Sequence, residues 1–150
     1  MFPTTVIILI IIMMLVLVSV VVLMTYHHLQ LRKESNYYPT LGKLVKVKNK
    51  KIHVYAVGRG KQTLVFLSGH GTSCPVLDFK PLWMRLQDEY RVVVMERFGY
   101  GWSDASSYSK DIDTLLEETR QALELANQKA PFVLFPHSMS GLQALYWAQK

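Results

Sequence analysis

The sequence predicts an α/β fold: a mainly parallel sheet with an antiparallel hairpin at its N-terminal edge, preceded by one transmembrane helix. Three observations carry this. From Leu44 onward, short apolar runs of strand type alternate with segments of helical spacing. The first two of those runs alternate with period two around a turn at Asn49, as hairpin strands do. Ahead of them, Val6 to Met24 carries no charge, and Ser19 is its only polar residue.

The elements follow in order. Val6 to Met24 holds fifteen Val, Ile and Leu residues. As a helix it reaches about 28 Å, close to the roughly 30 Å of bilayer hydrocarbon. A buried core helix keeps a polar stripe, which this run lacks. The leader before it has no basic residue, and no small-x-small site follows it, so an uncleaved anchor fits better than a signal peptide. Residues 1–24 are therefore read as the anchor and 25–41 as a polar juxtamembrane linker with Pro39 at its extended end. Arg32 and Lys33 follow the apolar run, and by the positive-inside rule they put the globular part in the cytoplasm.

Leu44–Val47 and Ile52–Val57 are the hairpin strands, and Thr63–Leu67 is the next strand. Asp78 is expected to cap a short helix through about Gln87, with Leu82, Trp83 and Leu86 inward. Arg91–Met95 reads as a strand buried on both faces. A long helix is expected from Asp111 to Lys129, with acids at its start and Pro131 just past its end. Phe132–Phe135 is a further strand. From Met139 the spacing is helical again, with Leu142, Leu145 and Tyr146 on one side.

The net charge of +6 has a local origin. Lys43, Lys46, Lys48, Lys50 and Lys51 crowd the hairpin, which reads as a solvated face or one drawn to anionic lipid headgroups. No nucleic-acid motif accompanies them, so nucleic acid is not an expected partner. The single cysteine, Cys74, excludes an internal disulfide. The His, Asp and Glu residues show no metal-ligand spacing, and neither metal nor cofactor is expected.

The chemistry sits in Phe132-Val133-Leu134-Phe135-Pro136-His137-Ser138-Met139-Ser140-Gly141. An apolar strand, a sharp turn and a new helix would lift the Ser138 hydroxyl out of the sheet. A serine hydroxyl is a weak nucleophile; it needs a base, a group that orients the base, and donors for the oxyanion. Ser68-Gly69-His70-Gly71-Thr72-Ser73 follows the Thr63–Leu67 strand, where glycines let backbone N–H groups approach a substrate.

With these pieces the chain from about Leu44 to Lys150 resembles the α/β-hydrolase family. Pro136 and Ser140 stand at the two glycine positions of G-x-S-x-G, with Gly141 following. Ser68-Gly69 stands in the place of the family's His-Gly oxyanion loop, and a register two residues later would use His70-Gly71 and Thr72. Arg97-Phe98-Gly99-Tyr100-Gly101-Trp102-Ser103-Asp104 resembles the R-x-G-x-G-x-S-D loop, with Glu96 where an aspartate is more usual. The resemblance implies Ser138 as nucleophile, the Met139 and His70 N–H groups as oxyanion donors, and supporting roles for Gly69, Gly71, Arg97, Gly99, Ser140 and Gly141. It implies a serine hydrolase acting on a small-molecule or peptide ester or amide, and the apolar run is expected to hold it on membrane lipid.

In the family the acid and histidine of the triad follow the elbow helix. Residues 42–150 are accordingly expected to be the N-terminal part of such a domain, inactive alone, with the elbow strand at an exposed sheet edge. His70 and His137 are not expected to replace the missing base, and His53 belongs to the hairpin. The alternatives are a non-enzymatic remnant of a hydrolase and a small membrane protein whose basic hairpin binds lipid or a partner.

Overall fold

The computed structural model describes residues 3–109 and 111–150. The chain divides into two compact units, one up to Pro39 and one from Thr40 to Lys150.

The first unit is a single helix, α1 (Thr4–Tyr37), of 34 residues and so about 51 Å long. It does not end with the apolar run. Residues 25–34 are mostly good helix formers, and no glycine or proline interrupts the chain before Pro39, so the hydrogen-bond ladder continues to Tyr37. Most of the expected linker is therefore helical. The side chains from Ile7 to Met24 project outward, unburied by protein. Two of its hydroxyls are satisfied within the helix: Ser19 Oγ donates to the Leu15 carbonyl and Thr25 Oγ1 to that of Val21, each at 2.8 Å. Among the described residues this is one helix long and apolar enough to cross a membrane, a test of length and composition that a signal sequence also passes.

The second unit is a five-stranded sheet in the order β1-β2-β4-β3-β5. Its strands are β1 (Lys43–Val47), β2 (Lys50–Val57), β3 (Thr63–Leu67), β4 (Arg91–Glu96) and β5 (Phe132–Pro136). β1 and β2 form the expected antiparallel hairpin, and β2 also runs antiparallel to β4. β3 pairs in parallel with β4 on one side and β5 on the other. Side-chain alternation divides the core between the two faces. Val65, Leu67, Val93 and Met95 pack on one face with Ala122 and Leu123, while Leu64, Phe66, Val92 and Val94 pack on the other with Val76 and Trp83.

The helices are α2 (Pro75–Asp78), α3 (Lys80–Leu86), α4 (Ile112–Leu125) and α5 (Ser140–Ala148). Three depart from expectation. The helix placed after Asp78 is two short helices broken at Phe79, because Pro81 has no N–H to continue a ladder and fits only a first turn. Asp78 thus ends α2 and caps nothing. Trp83 is buried, its indole N–H donating to the Val76 carbonyl at 2.8 Å, whereas Leu82 turns outward.

α4 begins as expected at Asp111, which accepts from the Thr114 N–H at 2.8 Å. It stops at Leu125 rather than Lys129. Asn127 takes φ 59°, and the N–H groups of Asn127 and Gln128 return to the carbonyls of Glu124 and Leu123, a Schellman closure. On α5 the inward stripe is Ser140, Gln143, Ala144 and Trp147, while Leu142 and Leu145 face outward. Leu142 and Leu145 share one side, as the spacing expects, and two of the inward positions opposite them are polar.

β5 lies at the sheet edge, with Val133 and Phe135 partly exposed. The chain runs from β3 to β4 on one side and returns to β5 on the other, so the strand order reverses about β3. The carboxyl ends of β3, β4 and β5 flank that reversal, the place where open α/β sheets bind ligands.

Candidate active site

Ser138 stands between β5 and α5 with φ 55°, a left-handed conformation that non-glycine residues rarely hold. The turn exposes it, as the elbow reading expects. Below it Ser140 is fully buried. The Ser140 hydroxyl accepts the His137 N–H at 2.8 Å and donates to the Leu67 carbonyl at 2.7 Å, clamping the turn to the end of β3. This explains a serine at the second glycine position: the hydroxyl replaces empty space with a clasp. Pro136, paired with Leu67 at the end of an edge strand, sits where a missing N–H is tolerated. Gly141 lies in the first turn of α5, donating to the Ser138 carbonyl at 3.0 Å.

The loop after β3 closes on this turn. A Cβ on Gly69 would stand 3.0 Å from Ser138 Cβ and 3.2 Å from the His137 carbonyl oxygen, so only glycine allows the approach without a shift. The Gly71 N–H donates to the Tyr100 hydroxyl at 3.1 Å. The N–H groups of His70 and Met139 make no hydrogen bond among the described residues. His70 and Met139 both line a cavity of about 350 Å³, walled further by Arg97, Phe98, Leu115 and Leu142. Ser138 is not itself in that wall.

The third loop is organised by a carboxylate. Glu96 is fully buried at the end of β4. Its Oε2 accepts the Trp102 N–H at 2.8 Å and meets His53 Nδ1 at 3.0 Å. Its Oε1 accepts the Val76 N–H at 3.3 Å and faces Cys74 Sγ at 3.5 Å. His53 Nε2 accepts the Gly42 N–H at 3.0 Å, so that nitrogen carries no proton, and Nδ1–H is the donor to Glu96. One buried side chain thus ties the 97–104 loop to the segment following the Gly69 loop. In the sequence Glu96 stands out only as a departure from aspartate, and His53 only as a hairpin residue. Their pairing spans 43 residues, and no local pattern announces it.

Arg97 reaches the cavity with its Nη2 donating to Gln143 Oε1 at 2.7 Å. Burial lowers its pKa from the ordinary arginine value. Gly99 turns the loop at φ 85°, its N–H on the Asp104 carbonyl at 3.0 Å. Cys74 is partly buried, and desolvation with Glu96 nearby pushes its thiol up to about 11, far from a thiolate nucleophile.

Among the described residues no imidazole or carboxylate is hydrogen-bonded to the Ser138 hydroxyl. The His137 ring turns to Phe79, edge-on at 6.2 Å between centroids. No group of three or more His, Cys, Asp or Glu side chains among the described residues could hold a metal.

An α/β sheet with its switch point, a left-handed serine on the strand-to-helix turn and a glycine loop pressed against it define a class, and the chain belongs to the alpha/beta hydrolase fold family, whose sequence model matches residues 62–150. It is similar to YbdG of Bacillus subtilis (strain 168), an uncharacterized protein, at 46% identity over 125 residues, covering 83% of this chain and 38% of YbdG. Among solved structures it is similar to Cfl2 from Burkholderia cenocepacia, at 27% identity and a TM-score of 0.65, covering 74% of this chain and 38% of that one. It is also similar to the esterase EaEST from Exiguobacterium antarcticum, at 25% identity and a TM-score of 0.63, covering 73% and 40%. The chain thus spans 38% to 40% of the length of these relatives.

Proposed function

We propose that the chain carries the nucleophile half of a membrane-anchored serine hydrolase acting on an ester or amide. Ser138 Oγ attacks the carbonyl carbon as its proton passes to a base, and the Met139 and His70 N–H groups take the developing oxyanion; collapse breaks the ester or amide bond and releases the protonated alcohol or amine, and water then hydrolyses the acyl-enzyme to the free acid. The observation that carries the reading is the left-handed Ser138 with Gly69 against its Cβ, beside two N–H groups without partners among the described residues. A serine at the elbow, rather than an aspartate, favours acyl transfer over cleavage of carbon–halogen bonds. The similarity to an esterase is in keeping with this. α1 holds the protein as a single-pass anchor in lipid, with Arg32 and Lys33 keeping the sheet unit on the cytoplasmic side. Arg97, Gly99, Gly71 and Gly141 shape the loops around the site.

With no base on Ser138 among the described residues, the chain alone is expected to turn over little substrate. The test is fluorophosphonate labelling of membranes carrying the chain, with and without added imidazole as an external base, and Ser138→Ala as control. The expected result is weak labelling that imidazole raises by about 10²-fold, the lower range of base catalysis, and that Ser138→Ala abolishes. Labelling that persists in Ser138→Ala, or none with imidazole, overturns the nucleophile. Strong labelling without imidazole overturns the inactivity of the chain alone.

A further inference from the structure

The cavity beside the elbow holds an arginine whose charge has no carboxylate counterion among the described residues. Phe98, Ile112, Leu115, Met139 and Leu142 give it apolar walls, and Arg97 enters it from the end of β4. Two ion pairs occur among the described residues, Lys48–Glu118 and His53–Glu96, and neither involves Arg97. Its polar partner is a neutral amide. Gln143 is buried, and its Nε2 donates to Thr119 Oγ1 at 2.9 Å, which turns its Oε1 toward the guanidinium. The amide cannot rotate away without forfeiting that bond. Arg97 is therefore held in one place by an acceptor that leaves its charge uncompensated. A guanidinium has five N–H donors in a planar fork, and one is on Gln143.

A partly buried, fixed and unpaired guanidinium is costly as structure alone, and a salt bridge to a local acid would serve packing better. Facing a cavity, it suits a planar anion, which it binds through two parallel hydrogen bonds. One fixed positive charge in a largely apolar wall, which His70 and Tyr100 also line, matches a single negative charge on a short carbon chain. We infer that Arg97, held in place by Gln143, forms a carboxylate subsite, and that the substrate of this site is an ester or amide bearing one carboxylate at the far end of a short apolar chain. This rests on the reading of Ser138 as the attacking group, and it assigns Arg97 a binding role in place of the supporting one.

The test measures binding, so it does not depend on an activated Ser138. The full chain in detergent micelles is titrated with monomethyl glutarate and with its neutral analogue methyl glutaramate, followed by ligand-observed NMR. The anion is expected to bind about tenfold more tightly, the factor one charge-assisted hydrogen bond supplies. Arg97→Gln should erase that preference and Ser138→Ala should keep it. Leu142→Glu is the second variant. Leu142 lines the same cavity and is 62% exposed, so the fold tolerates the change while a fixed negative charge cancels the preference. Equal binding of the two esters by the wild type overturns the subsite, as does a preference surviving in Leu142→Glu or in folded Arg97→Gln. Loss of labelling at Ser138 with the preference intact would defeat the hydrolase reading and leave the subsite standing.

Discussion

Replacing Glu96 with glutamine should loosen the whole floor of the site. The carboxylate accepts from His53 and Trp102 on one oxygen and from Val76 on the other, and it is fully buried. An amide offers one oxygen. Turned to keep the bonds at 3.0 and 2.8 Å, it sets an NH2 group against the Val76 N–H, donor facing donor. It cannot swing clear, because the Gly101 backbone is packed so closely that a Cβ there would stand 2.0 Å from Oε2. The loss is one hydrogen bond, the charge assistance of two others and an unsatisfied buried donor, together about 3 kcal/mol. With a urea dependence of roughly 1–3 kcal/mol per molar, the unfolding midpoint falls by about 1–3 M. Trp83, Trp102 and Trp147 all lie in the sheet unit, so tryptophan fluorescence follows that unit alone. Cys74 gives a second readout. Its thiol is raised to about 11 by desolvation first, with the Glu96 charge and hydrogen bond adding to it. Removing the charge lowers it, and alkylation of the single cysteine at pH 8 should quicken severalfold. A midpoint within about 0.2 M of wild type, with unchanged alkylation, would refute the view that Glu96 holds these loops together.

The remaining predictions concern the two ends of the elbow's support. Hydrogen bonds with Ser109 and Thr114 hold the exposed Asp111 carboxyl at about 2, below its ordinary 3.8. The capping it provides is thus complete above about pH 4 and is lost as pH falls through 2, so wild type and Asp111→Asn should differ in urea midpoint at pH 5 and converge near pH 2. Ser138 at φ 55° predicts that Ser138→Gly is more stable than Ser138→Ala by about 1 kcal/mol, the cost of a Cβ in the left-handed region. Thermal unfolding of the two variants checks this, and equal stability would mean that the turn carries no strain.

The sheet was largely legible because its signals are local. Alternation in Leu44–Val47 and Ile52–Val57, the valine run of Arg91–Met95 and the apolar approach to Ser138 each report burial over a few residues. The helix boundaries were less so, although two signals were present. Pro81 argued against one helix from Asp78, and Asn127 was available as a left-handed stop before Lys129. What the sequence concealed were polar residues doing the work of core. Gln143 and Ser140 occupy the inward stripe of α5, which apolar spacing therefore does not mark. His53 and Glu96 pair across the sheet between strands β2 and β4, and only the strand register brings them opposite one another.

Those concealed polar residues share a logic. The loops at the switch point are fixed by buried polar side chains as well as by apolar packing of Phe98, Trp102 and Val76. Ser140 clamps the elbow to β3, Glu96 gathers the loop after β4 and the Cys74–Val76 segment, and Gln143 pins Arg97. Apolar contacts are non-directional and fix a loop only loosely, whereas a hydrogen bond in low dielectric is strong and directional and is costly to leave unmade. Donors for an oxyanion must be held within a few tenths of an ångström of their position. On the proposed reading that requirement falls on the ends of β3, β4 and β5, and there the chain buries Ser140, Glu96 and Gln143.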